Sequence, residues 1–490
     1  MDLSHWIERH ARFASDAVAI RFEGREIRYA VFASRIRSAA GVLADLGVKR
    51  GDAIAYLGLN HPAVLVLLFA CARLGAMLVP LNWRLAPPEH ARVLADCPPR
   101  ALFVEPAFAA HARAIEGALP ATDLSALERD LGGSPAAEGD EDSPLLLCYT
   151  SGSTGAPKGV VLTQRALFWN AVNSTHMHDL TSADRVLTTL PMFHVGGMNV
   201  QTTPALHAGA SVVLHPKFDP VATLEAIERE RITLAVLVPA QLRALMELPR
   251  WKSADLSSLR MITTGSTIVS EAFVRKASGR GVPVIQVYGS TETCPIAAYV
   301  RAEDALRKAG SAGVPALHCE VKVVDEDGGE LPPGRDGEIL VRGPSVAAGY
   351  WNNPAETAQA FAGGWYRSGD LGHFDEEGHL HVVSRKQDMI ISGGENIYPV
   401  EVESVLLECP AIEEACVVGR PEERWGETVV AAVVLKPGCR MTEAEALGLF
   451  QGRIARYKHP REVVFFERLP RSALGKVQKK AVRAAISEGR

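Results

Sequence analysis

Residues 149–160 read YTSGSTGAPKGV, directly after the apolar run Leu145–Cys148. Glycines let a backbone turn its N–H groups toward a ligand. Thr150, Ser151, Ser153 and Thr154 add hydroxyl donors around Gly152 and Gly155, and Lys158 adds a point charge. Such a set suits an anion, and a polyphosphate best. Spacing excludes two familiar loops. A Walker loop needs G-x-x-x-x-G-K-[ST], but counting from Gly152 puts Pro157 at the second glycine, and Gly159 follows Lys158. The esterase elbow G-x-S-x-G fails because Ser151 stands where its first glycine belongs. A polar surface loop is the bland alternative.

Other segments extend the pattern: LPMFHVGG at 190–197, TTGST at 263–267, YGSTET at 288–293, YRSGDLG at 366–372, SRKQDMIISGGENIYPVEVE at 384–403 and LPRSALGKVQKK at 469–480. Together with YTSGSTGAPKGVVLTQ they resemble, in order, the signature motifs of the adenylate-forming superfamily. That superfamily holds acyl- and aryl-CoA ligases, nonribosomal adenylation domains and firefly luciferase. The resemblance runs from residue 149 to the C-terminus, and the first 140 residues fit more loosely.

The resemblance implies roles. Residues 151–155 and Lys158 hold ATP phosphates, with Thr150 among the catalytic groups. Thr291 contacts phosphate, and Glu292 binds Mg²⁺ bridging the phosphates. Tyr288 and Gly289 lie near the adenine, as do Gly265 and Ser266. Asp370 accepts both ribose hydroxyls, helped by Arg385. Lys476 is the catalytic lysine of adenylation. His194, Gly197, Met198 and Thr267 line the acid's pocket. Gly393 and Gly394 close on the pantetheine arm of CoA, and Gln387 is the hinge, where the family usually carries Asp or Lys.

Several of these residues have plainer readings. Glu292 after two hydroxylic residues is also a helix-start signal, Asp370 suits an Asx turn, and the glycine pair suits a tight turn. A basic terminal run is usually a solvated face. The chemistry is nonetheless coherent. A carboxylate attacking the α-phosphorus of ATP needs charge screening in the transition state but no protein base, since it is already ionised at neutral pH.

These groups must be positioned by a scaffold, and its pattern alternates strand and helix. Ala53–Leu59, Met77–Pro80, Ser211–Leu214 and Leu234–Pro239 read as strands, Pro62–Leu74 and Ala222–Arg231 as helices. That alternation predicts parallel sheets covered by helices. After Ser384 a short module follows, with helices over Val400–Leu407 and Glu443–Ala455 and strands over Glu414–Val418, Val429–Leu435 and Val463–Phe466. The expected fold is α/β, with a large multi-subdomain N-terminal domain (1–386) and a small α+β C-terminal domain (387–490) that the resemblance makes mobile.

Bulk properties agree. A chain of 490 residues exceeds one core. Its formal charge of -5 argues against general nucleic-acid affinity. The longest apolar run, Ala63–Ala72, is far short of a bilayer span. Met1–Ile20 carries charges at Asp2, Glu8, Arg9, Arg12 and Asp16 that no secretory signal would hold. Eight cysteines with no C-x-x-C pair suggest neither zinc nor a disulfide framework, so a reducing cytoplasm is expected.

The expected activity is an AMP- and pyrophosphate-forming acid:CoA ligase using ATP, Mg²⁺ and CoA. The pocket segments hold no arginine for a second carboxylate, which disfavours diacids. A fatty acid is the leading substrate and a hydroxycinnamate the alternative, the nearest likenesses being bacterial fatty-acyl-CoA synthetases and feruloyl-type CoA ligases. Transfer to a carrier protein, a luciferase-like oxygenase and an inactive nucleotide-binding protein are the other readings. A monomer or homodimer and a peripheral membrane contact both stay open.

Overall fold

The computed structural model describes residues 2–128, 135–151, 157–266, 269, 271–385, 390–397, 399–470, 477 and 479–488. Its clearest local unit is the crossover from strand Ala53–Leu57 through helix Pro62–Leu74 to strand Met77–Leu81. Pro62 opens the helix, His61 Nδ1 accepts from the Ala63 N–H, and Gly75 ends it at φ 68°. Every helix residue except Arg73 is buried, and both strands are buried along their full length. They pair in parallel, Ala53 opposite Met77 and Leu57 opposite Leu81. Apolar residues on both faces are what a parallel strand between helices requires.

Among the described residues this pair lies within a seven-stranded sheet that also takes in Pro144–Ser151 and Pro157–Thr163. A nine-stranded sheet carries the parallel strands Arg185–Thr188, Ser211–Leu214, Leu234–Val236, Met261–Thr264 and Val284–Tyr288. A four-stranded antiparallel sheet is built from Glu320–Val324, Gly337–Arg342, Tyr366–Phe374 and Leu380–Arg385. Beyond residue 390 a five-stranded sheet packs helices Pro399–Leu407 and Lys479–Ser487, with buried apolar clusters drawn from that module alone. The chain is therefore α/β, with a large N-terminal domain and a small C-terminal one. The boundary expected at 386/387 falls outside the described residues. No described helix is long and apolar enough to cross a membrane.

Some elements differ from expectation. The helix expected over Glu443–Ala455 stops at Gly448, and Gly452 turns at φ 71°. Phe450 and Ile454 stay buried, so the apolar pattern was real but the two glycines break the helix that would carry it. The strand expected to reach Pro239 ends at Val236, because Pro239 opens the helix Pro239–Met246.

Candidate active site

Strand Pro144–Ser151 leaves the seven-stranded sheet and returns antiparallel as Pro157–Thr163, with Ser151 opposite Pro157. Gly152, Ser153, Thr154 and Gly155 lie outside the described residues, as does the side chain of Ser151. Thr150, next to the end of the strand, lines the edge of a cleft. Its Oγ1 is only loosely placed, 3.4 Å from the Lys158 carbonyl. Lys158 Nζ pairs with Glu356 Oε1 at 2.5 Å and stands 5.5 Å from the centre of the Tyr350 ring. A phosphate reaching Lys158 would have to share it with that carboxylate.

Tyr288, Gly289, Thr291 and Glu292 follow the strand Val284–Tyr288. Gly289 is required by space, since a Cβ there would collide with the Pro295 carbonyl. Glu292 is buried, and its Oε1 accepts from the Tyr350 hydroxyl at 3.0 Å. The Tyr288 hydroxyl donates to Asp370 Oδ2 at 2.9 Å, which ties the nine-stranded sheet to the four-stranded one. Asp370 is itself buried and lies opposite Arg385 in the strand pairing. The Arg385 side chain is outside the described residues, as are Thr267, Gln387 and Lys476. Gly265 backs onto the Val287 carbonyl, and Ser266 beside it is exposed.

His194 precedes the short helix Val195–Asn199, which holds Gly197 and the fully buried Met198. A Cβ on Gly197 would strike the Leu190 and Pro191 carbonyls, so the chain folds tightly on itself here. His194 Nε2 lies 3.1 Å from Glu395 Oε2, and the same carboxylate pairs with Arg84. The packing around the ring and the Arg84 guanidinium push the His194 pKa down to about 3. A neutral ring donates Nε2–H to Glu395.

Glu395 belongs to the C-terminal module, in the hairpin of strands Ile390–Ser392 and Glu395–Ile397. Gly393 and Gly394 form its two-residue turn at φ 61° and 82°, the left-handed pair that a tight hairpin turn demands. A Cβ on Gly394 would stand 3.3 Å from Val238 of the large domain. The tight-turn reading of these glycines is therefore correct. A second contact joins the domains nearby. Lys458 Nζ bonds Glu89 Oε1 of the large domain at 2.9 Å and Glu401 Oε1 of its own module at 2.6 Å, with all three groups buried or nearly so. Burial pushes the Glu401 carboxyl up against the pull of Lys458, and Glu89 adds to the rise.

Between these contacts lies a cleft of about 100 Å³, walled by Thr150, His194 and Thr291 on one side and Glu395, Tyr457 and Lys458 on the other. Glu395, Arg84, Glu89 and Lys458 received no role from the sequence. Glu395 stood within the GGEN segment already singled out, so it carried a signal, whereas Lys458 in RYKHP carried none.

Residues 7–351 match the AMP-binding enzyme family, and residues 401–476 match the AMP-binding enzyme C-terminal domain. The chain belongs to the AMP-binding enzyme family. Within it the chain falls in the acyl-CoA synthetase branch of the adenylate-forming superfamily. This AMP-binding enzyme is 56% identical to an indoleacetate–CoA ligase of Aromatoleum aromaticum, over 99% of this chain and 98% of that one. It is 42% identical to a feruloyl-CoA synthase of an Amycolatopsis species, with 98% of each chain covered. A solved structure of o-succinylbenzoate CoA synthetase from Bacillus subtilis, a double mutant bound with the product analogue OSB-NCoA, superposes with a TM-score of 0.91 at 33% identity and 99% coverage of both chains. The same protein in complex with the acyl-adenylate intermediate OSB-AMP scores 0.74, also at 33% identity, with 99% of this chain and 98% of that one covered. In this AMP-binding enzyme the glycine hairpin lies against Val238 of the large domain.

Proposed function

We propose that the chain is an ATP-dependent aryl-acid:CoA ligase acting on an arylacetic acid such as indole-3-acetate. The carboxylate oxygen attacks the α-phosphorus of ATP, the bond to the β-phosphate oxygen breaks, and pyrophosphate leaves. The CoA thiol, giving up its proton, then attacks the acyl carbon and AMP leaves. Thr150, Ser151 to Gly155, Lys158 and Thr291 hold the phosphates in this reading, and Asp370 with Arg385 holds the ribose. Lys476 screens the two anions in the first step. Glu292 is a lone buried carboxylate, which suits Mg²⁺ held by one carboxylate together with substrate phosphates. When bound, that ion neutralises charge on the leaving pyrophosphate. In the second step Gly393, Gly394 and Glu395 border the path of the pantetheine arm, and Gln387 serves as the hinge between the two arrangements.

One observation carries the choice of an aryl acid over a fatty one. Behind His194, Gly196 and Gly197 wall a small cavity of about 10 Å³. Its lining mixes Leu187, Leu190 and Val236 with the buried polar side chains of Thr188, Thr189 and Gln201. Thr189 Oγ1 and Gln201 Oε1 have no hydrogen-bond partner there, which a polar atom at the tip of an aromatic acid would relieve and a hydrocarbon terminus would not. The 56% identity to an indoleacetate–CoA ligase points the same way.

The test is pyrophosphate release from ATP and Mg²⁺, with and without CoA, over acetate, malonate, octanoate, palmitate, benzoate, ferulate and indole-3-acetate. Steady turnover that needs CoA and peaks on an aryl acid is the expected result. A peak on palmitate would overturn the choice of acid, and CoA-independent steady release would overturn the ligase.

A further inference from the structure

The cavity behind His194 holds a buried acceptor whose orientation is fixed from several residues away. Gln201 is 1% exposed, and its Oε1 has no hydrogen-bond partner, while its Nε2 donates to Thr263 Oγ1 at 3.3 Å. At first sight the amide could be turned over, because Thr263 carries a hydroxyl able to donate. The bonds beyond Thr263 decide otherwise.

His178 is fully buried beneath that threonine. Its Nδ1 lies 2.9 Å from the Ser174 carbonyl and 3.1 Å from Ser174 Oγ. The Ser174 hydroxyl proton is committed to the Val200 carbonyl at 2.6 Å. Both neighbours of Nδ1 are therefore acceptors, and Nδ1 must carry the ring proton. Nε2 is then a bare acceptor, 2.9 Å from Thr263 Oγ1, and the threonine must give it its proton. Having donated once, Thr263 Oγ1 can only accept from Gln201, which requires the amide nitrogen on that side. Burial keeps His178 neutral, with its pKa down to about 4, so the arrangement holds across neutral pH. The amide oxygen is left as the unmatched end of the chain of bonds.

An unsatisfied buried acceptor is costly, because it has lost its water without gaining a partner. The same cavity holds a second polar atom with no partner, Thr189 Oγ1, beside the apolar side chains of Leu190 and Val236. An apolar wall with one oriented acceptor, around a cavity of about 10 Å³, fits the N–H tip of a flat ring that stops at its mouth.

We propose that Gln201 determines specificity at the far end of the acid, its Oε1 accepting the N–H of a fused aromatic ring. The proposal rests on the aryl-acid reading above and narrows it to arylacetic acids that carry a ring donor. Gln201 touches the substrate far from the reacting carbon, so it sets the choice of acid and not the chemistry of transfer.

The experiment compares indole-3-acetate with 1-benzothiophene-3-acetate, in which sulfur replaces the N–H with little change of shape. CoA-dependent pyrophosphate release gives kcat/KM for each. The native enzyme should prefer the indole by about tenfold to a hundredfold, the range expected for one buried hydrogen bond. Gln201→Met keeps length and loses the acceptor. It should bring the ratio to within about twofold, chiefly by slowing the indole acid, with the benzothiophene acid held or improved. Equal use of both acids by the native enzyme overturns the role of Gln201 while leaving the aryl-acid reading standing, and needs no variant that folds. An unchanged preference in Gln201→Met likewise overturns it. If neither acid is used and octanoate or palmitate is, the aryl-acid reading fails and this inference with it.

Discussion

A carboxylate approaching the triphosphate of ATP brings two anions together, and in the proposed mechanism Lys476 eases that approach. Lys476→Ala should lower adenylation by about a hundredfold to a thousandfold, the usual loss when one preorganised charge donor is removed. The same variant should still convert supplied acyl-adenylate and CoA to thioester. Equal loss of both half-reactions in stopped assays would make Lys476 a structural residue. Local spacing singled out Glu292 and Asp370, and both are buried, each accepting from a tyrosine hydroxyl, Tyr350 and Tyr288 respectively. Lys458 and Glu89 were not legible, because their meaning is a contact between positions 369 apart in the chain. Gln201 was hidden for a related reason. Its amide is oriented by Thr263 and His178, from three separate stretches of sequence.

Among the elements, the hairpin around Gly393 and Gly394 carries the sharpest expectation. Both glycines are left-handed, and Gly394 rests against Val238. Gly394→Val would add a branched side chain at a conformation costing on the order of 1–2 kcal/mol, and would press it into the large domain. Thioester formation from supplied acyl-adenylate should fall at least tenfold while adenylation stays within about threefold. A variant that loses adenylation first would separate this hairpin from the second half-reaction. The paired glycines made the turn readable in advance, as the proline, His61 and Gly75 did for helix Pro62–Leu74. Where expectation slipped, at Glu443–Ala455, burial of Phe450 and Ile454 sustained a helical rhythm in a segment that Gly448 and Gly452 had already broken.

At the scale of the whole molecule, the two domains are held together by a few polar contacts as well as shape. Lys458 serves one glutamate on each domain. Lys458→Met would leave two buried carboxylates facing each other without their cation, a loss of about 3–5 kcal/mol when a buried pair is broken. The half-reaction that uses the docked arrangement should slow at least tenfold, and acid-dependent pyrophosphate formation should be largely kept. Equal slowing of both would assign Lys458 to stability alone. Fold class and family were legible because they follow from many motifs in order. The contact between the domains was not, since no local pattern encodes a pairing such as that of Lys458 with Glu89. The eight cysteines bring out a further property of the assembled molecule. Cys148 lies just before the phosphate loop and Cys294 just after Glu292, yet both are buried. Burial pushes the Cys148 thiol up to about 12 and the Cys294 thiol well above its ordinary value. Only the thiolate is a competent nucleophile, so these two buried thiols make poor rivals to CoA for an activated acyl group. After incubation with acid, ATP and Mg²⁺ but no CoA, the protein's intact mass should be unchanged, and an acyl adduct on Cys148 or Cys294 would show that this internal insulation fails.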